Sequence, residues 1–176
     1  ERLLLADDVE YHLPRGRLNA FGQVRTTLPA SQLRAGAGNA AGDEVVVLAR
    51  SLDYLPEAAR AVYRGNVRYS DGSHRMAANE LLITFADDRS ITELEATGAV
   101  EIHDVATGRT MSGQEARRRT STRVIQVTGS PARLTDPTGN VIAASSLTWD
   151  QASGTVTLSG GPDTPTETIY IPEERP

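Results

Sequence analysis

A glycine recurs at a fixed distance behind a short polar segment, and this recurrence limits the possible folds more than any other feature. Four of these glycines lie 16 residues after a small residue: Gly22 after Ala6, Gly65 after Ala49, Gly129 after Gly113 and Gly160 after Ala144. A fifth pair, Ala78 and Gly98, is 20 residues apart, and the polar turn "ADDRS" accommodates the extra four. The chain therefore consists of five related units, which is the mark of a repeat architecture.

Each unit begins with a common pattern: a small residue, two polar residues, an apolar one, any residue, then an aromatic or large one. The fourth unit fits least well, because Ala116 and Arg118 occupy its two apolar positions. Around each glycine, apolar and polar residues alternate, as in "AVYRGNVRYSDG" (61–72). A period of two indicates strands with one apolar and one polar face.

The two strands of each unit are separated by turn sequences, namely "LPRG", "LPEA", "ADDRS", "RTST" and "DQASG". Pro, Gly, Asp and Ser favour turns at such positions. No segment with helical periodicity is long enough to predict a helix. The sequence therefore predicts an all-β fold of ten or more antiparallel strands.

The glycines have a structural interpretation of their own. Glycine inside a strand marks a bulge, a sharp bend or a close approach of two backbones. Because the glycine has the same place in every returning strand, we expect a row of glycines along which a long sheet folds over. The alternative is five unrelated turn glycines among the 15 in the chain.

Composition excludes several classes of protein. The net charge is -5 and the pI is about 5.2, which argues against nonspecific nucleic-acid binding. The chain has no cysteine, so it has neither a disulfide framework nor a thiolate metal site. No apolar run approaches ~18 residues, the length of a membrane span. No signal peptide is visible, and removal of an N-terminal signal or anchor is left open.

The sequence carries no motif for enzymatic or metal chemistry. His12, His74 and His103 lack metal-ligand spacing, and each is expected to be a solvated surface residue. The run "AGAGNAAG" (35–42) lacks the spacing of a phosphate loop, and no G-x-S-x-G is present. We therefore predict no catalytic residue, no metal site and no cofactor.

One basic run, "ARRRTSTR" (116–123), lies on a predicted hairpin, where alternate residues point to one side. Arginine binds phosphates with two parallel hydrogen bonds. Arg117 and Arg119 are therefore candidates for binding a phosphorylated headgroup. The alternative is a solvated hairpin tip.

Three segments carry a resemblance to a known family: "YRGNV" (63–67), "MAANELLI" (76–83) and "VTGSPARL" (127–134). Their order and spacing resemble the OstA-like repeat of the LptA, LptC and LptD lipopolysaccharide transport proteins over roughly residues 1–161. The resemblance implies an incomplete, V-shaped β jelly roll in the periplasm. It also implies a non-enzymatic lipid carrier, with acyl chains inside and sugars outside.

The apolar face on which the glycines lie supplies candidate lipid-facing residues. Small and aliphatic side chains leave room for a slot, and the same stripe is what the core of any β-sandwich shows. The candidates are Leu18, Val24, Tyr63, Val67, Leu94, Val100, Ile102, Ile125, Val127, Val156 and Leu158.

The expected organisation is one OstA-like domain over residues 1–161, with an irregular insertion or flap at 25–44 and a C-terminal tail at 162–176. Expected partners are lipopolysaccharide or lipid A and other OstA-like proteins (LptC-, LptA- or LptD-like). Unpaired sheet edges predict head-to-tail self-association at high concentration. The alternative function is a β-solenoid scaffold or glycan-binding module without a lipid slot. An enzyme of the β-helix type is disfavoured, because no ladder of charged residues recurs across the units.

Overall fold

The computed structural model describes residues 2–32, 44–161 and 166–169, which form one twelve-stranded sheet. Regular helix in these ranges is limited to three short 3₁₀ turns, and no helix there is long and apolar enough to cross a membrane. The strands are β1 (Leu3–Leu5), β2 (Asp8–His12), β3 (Arg17–Pro29), β4 (Glu44–Leu55), β5 (Arg60–Ser70), β6 (His74–Phe85), β7 (Ile91–Asp104), β8 (Thr110–Arg119), β9 (Val124–Thr135), β10 (Val141–Asp150), β11 (Thr155–Ser159) and β12 (Glu167–Ile169).

The sheet is a meander in which most strands pair with their neighbours in sequence. Two short strands flank it on each side: β1 and β2 both pair with β3, and β11 and β12 both pair with β10. Every strand pair in the described residues is antiparallel. The prediction of ten or more antiparallel strands is therefore confirmed.

Alternation of apolar and polar residues places the strands as predicted. In β5, Ala61, Tyr63, Val67 and Tyr69 are buried, whereas the residues between them are exposed or half-buried. All five predicted connectors coincide, to within one residue, with turns or 3₁₀ turns between strands. The buried apolar side chains of β3 to β10 form one core on one face of the sheet.

A row of bulges crosses the middle of the sheet. Register shifts occur between all neighbouring strands from β3 to β10 at matching positions. At each shift the glycine-bearing strand carries one or two more residues than its partner, and the four strands concerned hold Gly22, Gly65, Gly98 and Gly129. An extra residue bends a strand and increases its twist, so the predicted row of glycines is confirmed for these four. The fifth glycine, Gly160, is an exception, because β11 ends at Ser159.

In the first three units, the polar residue at the start of the unit explains why glycine is required. A Cβ added at Gly98 would lie 2.6 Å from Asn79 Nδ2 and 2.9 Å from Asn79 Cβ. At Gly65 the atom would lie 3.0 Å from the side chain of Arg50, and at Gly22 it would overlap Asp7. Asp7, Arg50 and Asn79 each follow the small residue that begins a unit. In these three units the first polar side chain thus lies against the glycine of the returning strand.

The bulge row divides the sheet into two walls. We call the strand halves that end at turns 13–16, 56–59, 86–90, 120–123 and 151–154 the first wall. The halves that end at turns 71–73, 105–109 and 136–140 form the second wall. Side chains of the two walls meet in the core, as where Asp71 contacts Arg118, 47 residues away. The fold is therefore an incomplete β jelly roll, as predicted.

Two predicted boundaries need adjustment. β3 continues to Pro29, so residues 25–29 belong to the sheet and not to the irregular segment predicted at 25–44. Residues 33–43 lie outside the described part. In the predicted tail at 162–176, Glu167–Ile169 form β12 and pair with β10, and the other residues of the tail except 166 are not described. Hydrophobic periodicity indicated neither segment, because residues 25–29 are largely polar and β12 has only three residues.

Candidate functional site

All eleven predicted lipid-facing residues lie on the core side of the sheet, which we call the inner face. Eight are buried, with exposed fractions of 4% or less: Val24, Tyr63, Val67, Leu94, Val100, Ile102, Ile125 and Val127. The other three, Leu18, Val156 and Leu158, are half-buried and pack against this core. The structure thus brings the set together on one surface, and contact with lipid stays a prediction.

The inner face is closed upon itself in this conformation. One cavity on this face has a volume of about 20 Å³, and Tyr69, Met76, Leu94, Ile102 and Ile125 contribute to its lining. A cavity of that size holds about one water molecule. An acyl chain between the walls would therefore require them to separate.

The inner face is uncovered at the N-terminal edge of the sheet. Val9 pairs with buried Ala20, and Tyr11 pairs with Leu18, so both belong to the inner face. Val9 is nevertheless 52% exposed and Tyr11 58%. At the other edge, Val156 on β11 is half-buried. The apolar inner face therefore runs across the whole sheet and reaches both of its edges.

A group of polar side chains is buried within this apolar core. We call it the Asp71 cluster: Tyr69, Asp71, His74, Arg118 and Gln151. Asp71 is fully buried, and His74 and Arg118 are each 6% exposed. Tyr69 Oη donates a hydrogen bond to Asp71 Oδ2 at 3.1 Å, and Arg118 Nη1 donates to the same oxygen. The backbone N–H of His74 donates to Asp71 Oδ1 at 2.8 Å, and Gln151 Nε2 lies 2.7 Å from His74 Nε2.

The cluster keeps Asp71 ionised. Burial alone would raise the pKa of this carboxyl, but hydrogen bonds from His74 and the charge of Arg118 outweigh it and hold the pKa well below its usual range. Burial also raises the pKa of Tyr69, so its hydroxyl remains a donor to the carboxylate. The interior thus holds a paired Asp⁻ and Arg⁺.

The expectation that His74 is a surface residue is wrong. His74 packs edge-on against Trp149, with ring centroids 5.6 Å apart, because the two walls meet at this point. Sequence reasoning also missed Arg118 and Asp71 as a buried pair. One signal was available: Arg118 occupies the position where other units have Tyr54 or Trp149. That position points inward, so an arginine there requires a buried partner.

The predicted headgroup residues lie on the opposite, outer face. Arg117 Nε lies 2.5 Å from Glu93 Oε1, and Arg119 Nε lies 3.1 Å from the same oxygen. Arg117 Nη2 is also 3.2 Å from Glu95 Oε1. The hydrogen bond from Arg117 lowers the pKa of Glu93 to about 2. A phosphate would have to compete with these carboxylates, and headgroup binding at Arg117 and Arg119 stays a prediction.

The remaining histidines are separate from the cluster. His12 is exposed, and His103 Nδ1 lies 3.2 Å from Thr110 Oγ1. Among residues 2–32, 44–161 and 166–169, no three His, Asp or Glu side chains are grouped so as to hold a metal ion. The run "AGAGNAAG" (35–42) lies outside the described residues.

Comparison with known proteins identifies the family. The family model described as LptA/(LptD N-terminal domain) LPS transport protein matches residues 46–155, more than half of the chain. The chain belongs to this family of LPS transport proteins. The resemblance seen in the repeat is therefore confirmed. No curated protein matches the sequence.

A solved structure of a family relative has the same fold. It is LptH, described as the LptA homologous periplasmic component of the lipopolysaccharide transport device from Pseudomonas aeruginosa. The TM-score is 0.64 at 15% sequence identity, covering 73% of this chain and 95% of LptH. At that identity the similarity establishes the fold alone.

Proposed function

We propose that this protein is a non-enzymatic periplasmic carrier that binds the acyl chains of lipopolysaccharide and passes the lipid toward the outer membrane. Membership in the family supports a role in lipopolysaccharide transport. The observation that carries the finer proposal is the apolar inner face, which runs between two walls and reaches both sheet edges. A carrier needs such a path, because the lipid must enter at one end and leave at the other.

Hydrophobic burial is sufficient to hold the ligand. Each acyl CH₂ removed from water contributes ~0.8 kcal/mol, so a chain of a dozen carbons gains about 10 kcal/mol before any cost is subtracted. Part of this gain is spent in separating walls that contact each other in the empty protein. No polar contact to the acyl chain is needed, which fits the aliphatic character of Val67, Val100 and Val127.

The N-terminal edge is the proposed docking surface for another OstA-like protein. Within the described ranges, no strand pairs with the outer edge of β1 or β2. Leu3 and Leu5 on β1 are 48% and 51% exposed, and Leu13 is 82% exposed. An unpaired edge with exposed apolar side chains favours addition of a strand from a second protein. Head-to-tail association there would join two inner faces into one path.

Photo-crosslinking tests lipid binding. A photoreactive amino acid at Val67 or Val100 on the inner face is expected to capture purified lipopolysaccharide. Matched positions on the outer face, Arg68 and Glu95, are expected to give no adduct. Circular dichroism establishes that each variant is folded. Capture at the outer positions alone would show that the lipid lies on the other side of the sheet.

Sedimentation tests the edge. Val9→Lys places a charge on the exposed strand β2 and is expected to weaken association with itself at high concentration or with an LptA-like partner. Thr155→Lys, a change at an exposed position on β11, is the comparison for the opposite edge. Removal of residues 162–176 deletes β12 and is expected to strengthen association if that segment guards the C-terminal edge. A strict monomer throughout, with no binding to a partner, would contradict this proposal.

The alternative of a β-solenoid scaffold fits the topology poorly. A solenoid stacks successive coils as parallel strands, whereas the strand pairs of the described residues are antiparallel. A glycan-binding module without a lipid slot predicts that a fluorescent fatty acid does not bind the delipidated protein. A carrier is expected to bind that probe and to release it when lipopolysaccharide is added.

A further inference from the structure

The Asp71 cluster connects the two walls and not neighbouring strands. Asp71 and His74 lie at the turn between β5 and β6, in the second wall. Arg118 on β8 and Gln151 after β10 belong to the first wall. In the sheet order, β7 separates β6 from β8, and three strands separate β6 from β10. The contacts from Asp71 to Arg118 and from His74 to Gln151 therefore exist because the sheet is folded over.

The cluster differs from the other ion pairs between arginine and carboxylate in the described residues. Those pairs lie on the outer face, where the side chains of Arg17, Arg64, Arg117 and Arg119 are 44–60% exposed. The Arg118 side chain is 7% exposed and that of Asp71 is 0%. A buried ion pair adds little stability compared with apolar residues of similar size, but separating its partners is costly. Such a pair therefore suits a contact between the walls that is either fully formed or fully separated.

The closed state leaves polar groups unsatisfied. Within the described part of the chain, Arg118 Nε and Trp149 Nε1 are buried and have no hydrogen-bond acceptor. Buried donors without partners disfavour the state that contains them. The closed arrangement is thus held by the contacts of Asp71 and His74, whereas Arg118 Nε and Trp149 Nε1 find no protein acceptor among the described residues.

The cluster also adjoins the apolar path. His74 and Arg118 border the same small cavity as Leu94, Ile102 and Ile125, three of the predicted lipid-facing residues. We propose that the Asp71 cluster is a latch: its contacts between the walls hold the empty slot closed, and they must break before an acyl chain can enter. The part of this inference that concerns acyl chains rests on the proposed function.

Trp149 allows the latch to be tested without any lipid. It is the single tryptophan, it is 7% exposed, and it packs on His74. Arg118→Met removes the ion pair and is expected to increase acrylamide quenching of Trp149 several-fold in the folded protein. Arg64→Met, which removes an ion-paired arginine of the outer face, is the matched control and should leave quenching unchanged. Equal quenching in a folded Arg118→Met protein would overturn the latch.

A second variant covers the case in which Arg118→Met does not fold. In Asp71→Asn/Arg118→Ala, both charges are removed and no apolar side chain of similar size replaces the arginine, while the asparagine oxygen still accepts the turn N–H groups of Ser73 and His74. This protein is expected to fold and to show the same raised quenching. Quenching at the wild-type level in this folded variant would also refute the latch.

Uptake of a dansyl-labelled fatty acid, measured by stopped flow, tests the gating role. Latch-weakened variants are expected to take up the probe about tenfold faster than wild type, which corresponds to about 1.4 kcal/mol of barrier. A purely structural role predicts slower or weaker uptake instead. If wild-type protein does not bind the probe at all, the proposed carrier function fails, and the quenching comparison still decides whether the cluster holds the walls together.

Locking the latch gives the converse test. Since the chain has no cysteine, Ser73→Cys/Gln151→Cys introduces one thiol on each wall beside His74. Joining them with a short bismaleimide is expected to abolish probe uptake, while each single-cysteine variant treated with the same reagent should retain it. Undiminished uptake by the crosslinked protein would refute the latch.

Discussion

Gly98→Ala tests whether the bulge row depends on the close approach of side chain to backbone. Gly98 has φ of +76°, so alanine at this position adopts a left-handed conformation that costs ~1–2 kcal/mol. Its Cβ would also lie 2.9 Å from Asn79 Cβ, which cannot rotate away as the amide group can. Crowding of this kind costs ~1–3 kcal/mol. The expected loss in the free energy of unfolding is therefore about 2–5 kcal/mol in total.

Gly154→Ala is the matched control for the backbone contribution. Gly154 has φ of +72°, almost the same as Gly98, but no heavy atom lies within 4 Å of an added Cβ. Its expected cost is the backbone strain alone, ~1–2 kcal/mol. The difference between the two variants isolates the crowding at Asn79. Each kcal/mol corresponds to a fall in Tm of about 2–4 °C for a chain of this size.

A double variant completes the experiment. Asn79→Gly removes the crowding atom, so Gly98→Ala is expected to cost ~1–3 kcal/mol less in the Asn79→Gly background than in wild type. Urea unfolding followed by Trp149 fluorescence measures all four proteins. If Gly98→Ala cost no more than Gly154→Ala, crowding by the polar side chain could not be the reason for the recurring glycine. An absence of coupling between positions 79 and 98 would refute that reason as well.

Three further outcomes are expected. Leu147→Ala, at a site with 0% exposure, should cost ~2–5 kcal/mol in urea unfolding, whereas Leu13→Ala, at 82% exposure, should change stability by less than ~0.5 kcal/mol. In NMR titration, Glu93 should titrate near its lowered pKa of about 2, and Arg117→Met should raise that pKa toward its usual value of ~4.3; an unchanged pKa would show that this ion pair does not form in solution. The pKa of Asp71 is lower in the folded than in the unfolded protein, so its stabilising contribution is full above ~3.9 and is lost as the pH falls below that value. Acid unfolding of Asp71→Asn should therefore depend less steeply on pH below ~4 than that of wild type.

The sequence predicted the parts of this fold that depend on neighbouring residues. Alternation placed Tyr63 and Val67 on the inner face, and the shared spacing placed Gly22 and Gly65 in bulges. These features are local, because the face of a strand residue follows from its parity and a bulge follows from its own backbone. Gly160 was misplaced because the same spacing ends at the sheet edge, where a short strand has no second half to bend.

The sequence did not predict which residues meet across the slot. Asp71 and Arg118 are 47 residues apart and belong to strands that do not pair. Their contact depends on the angle between the walls, which accumulates from bulges and twist over several strands. For the same reason His74, in a polar turn sequence, appeared exposed and is buried. Arg118 in an inward position was the one local sign that a polar contact lies inside the core.

The bulge row also determines how such a protein can change its length. Each of the first four units contributes one bulged strand and one unbulged strand, and these four bends lie on the same line. Insertion of a whole unit would therefore extend both walls by two strands, or about 10 Å, without altering the bend. Extra residues within a unit are absorbed at the turns, as in the 20-residue spacing from Ala78 to Gly98. The number of residues in a unit and the number of units can thus vary independently. The first affects the room available for a ligand between the walls, and the second sets the distance over which the ligand is carried.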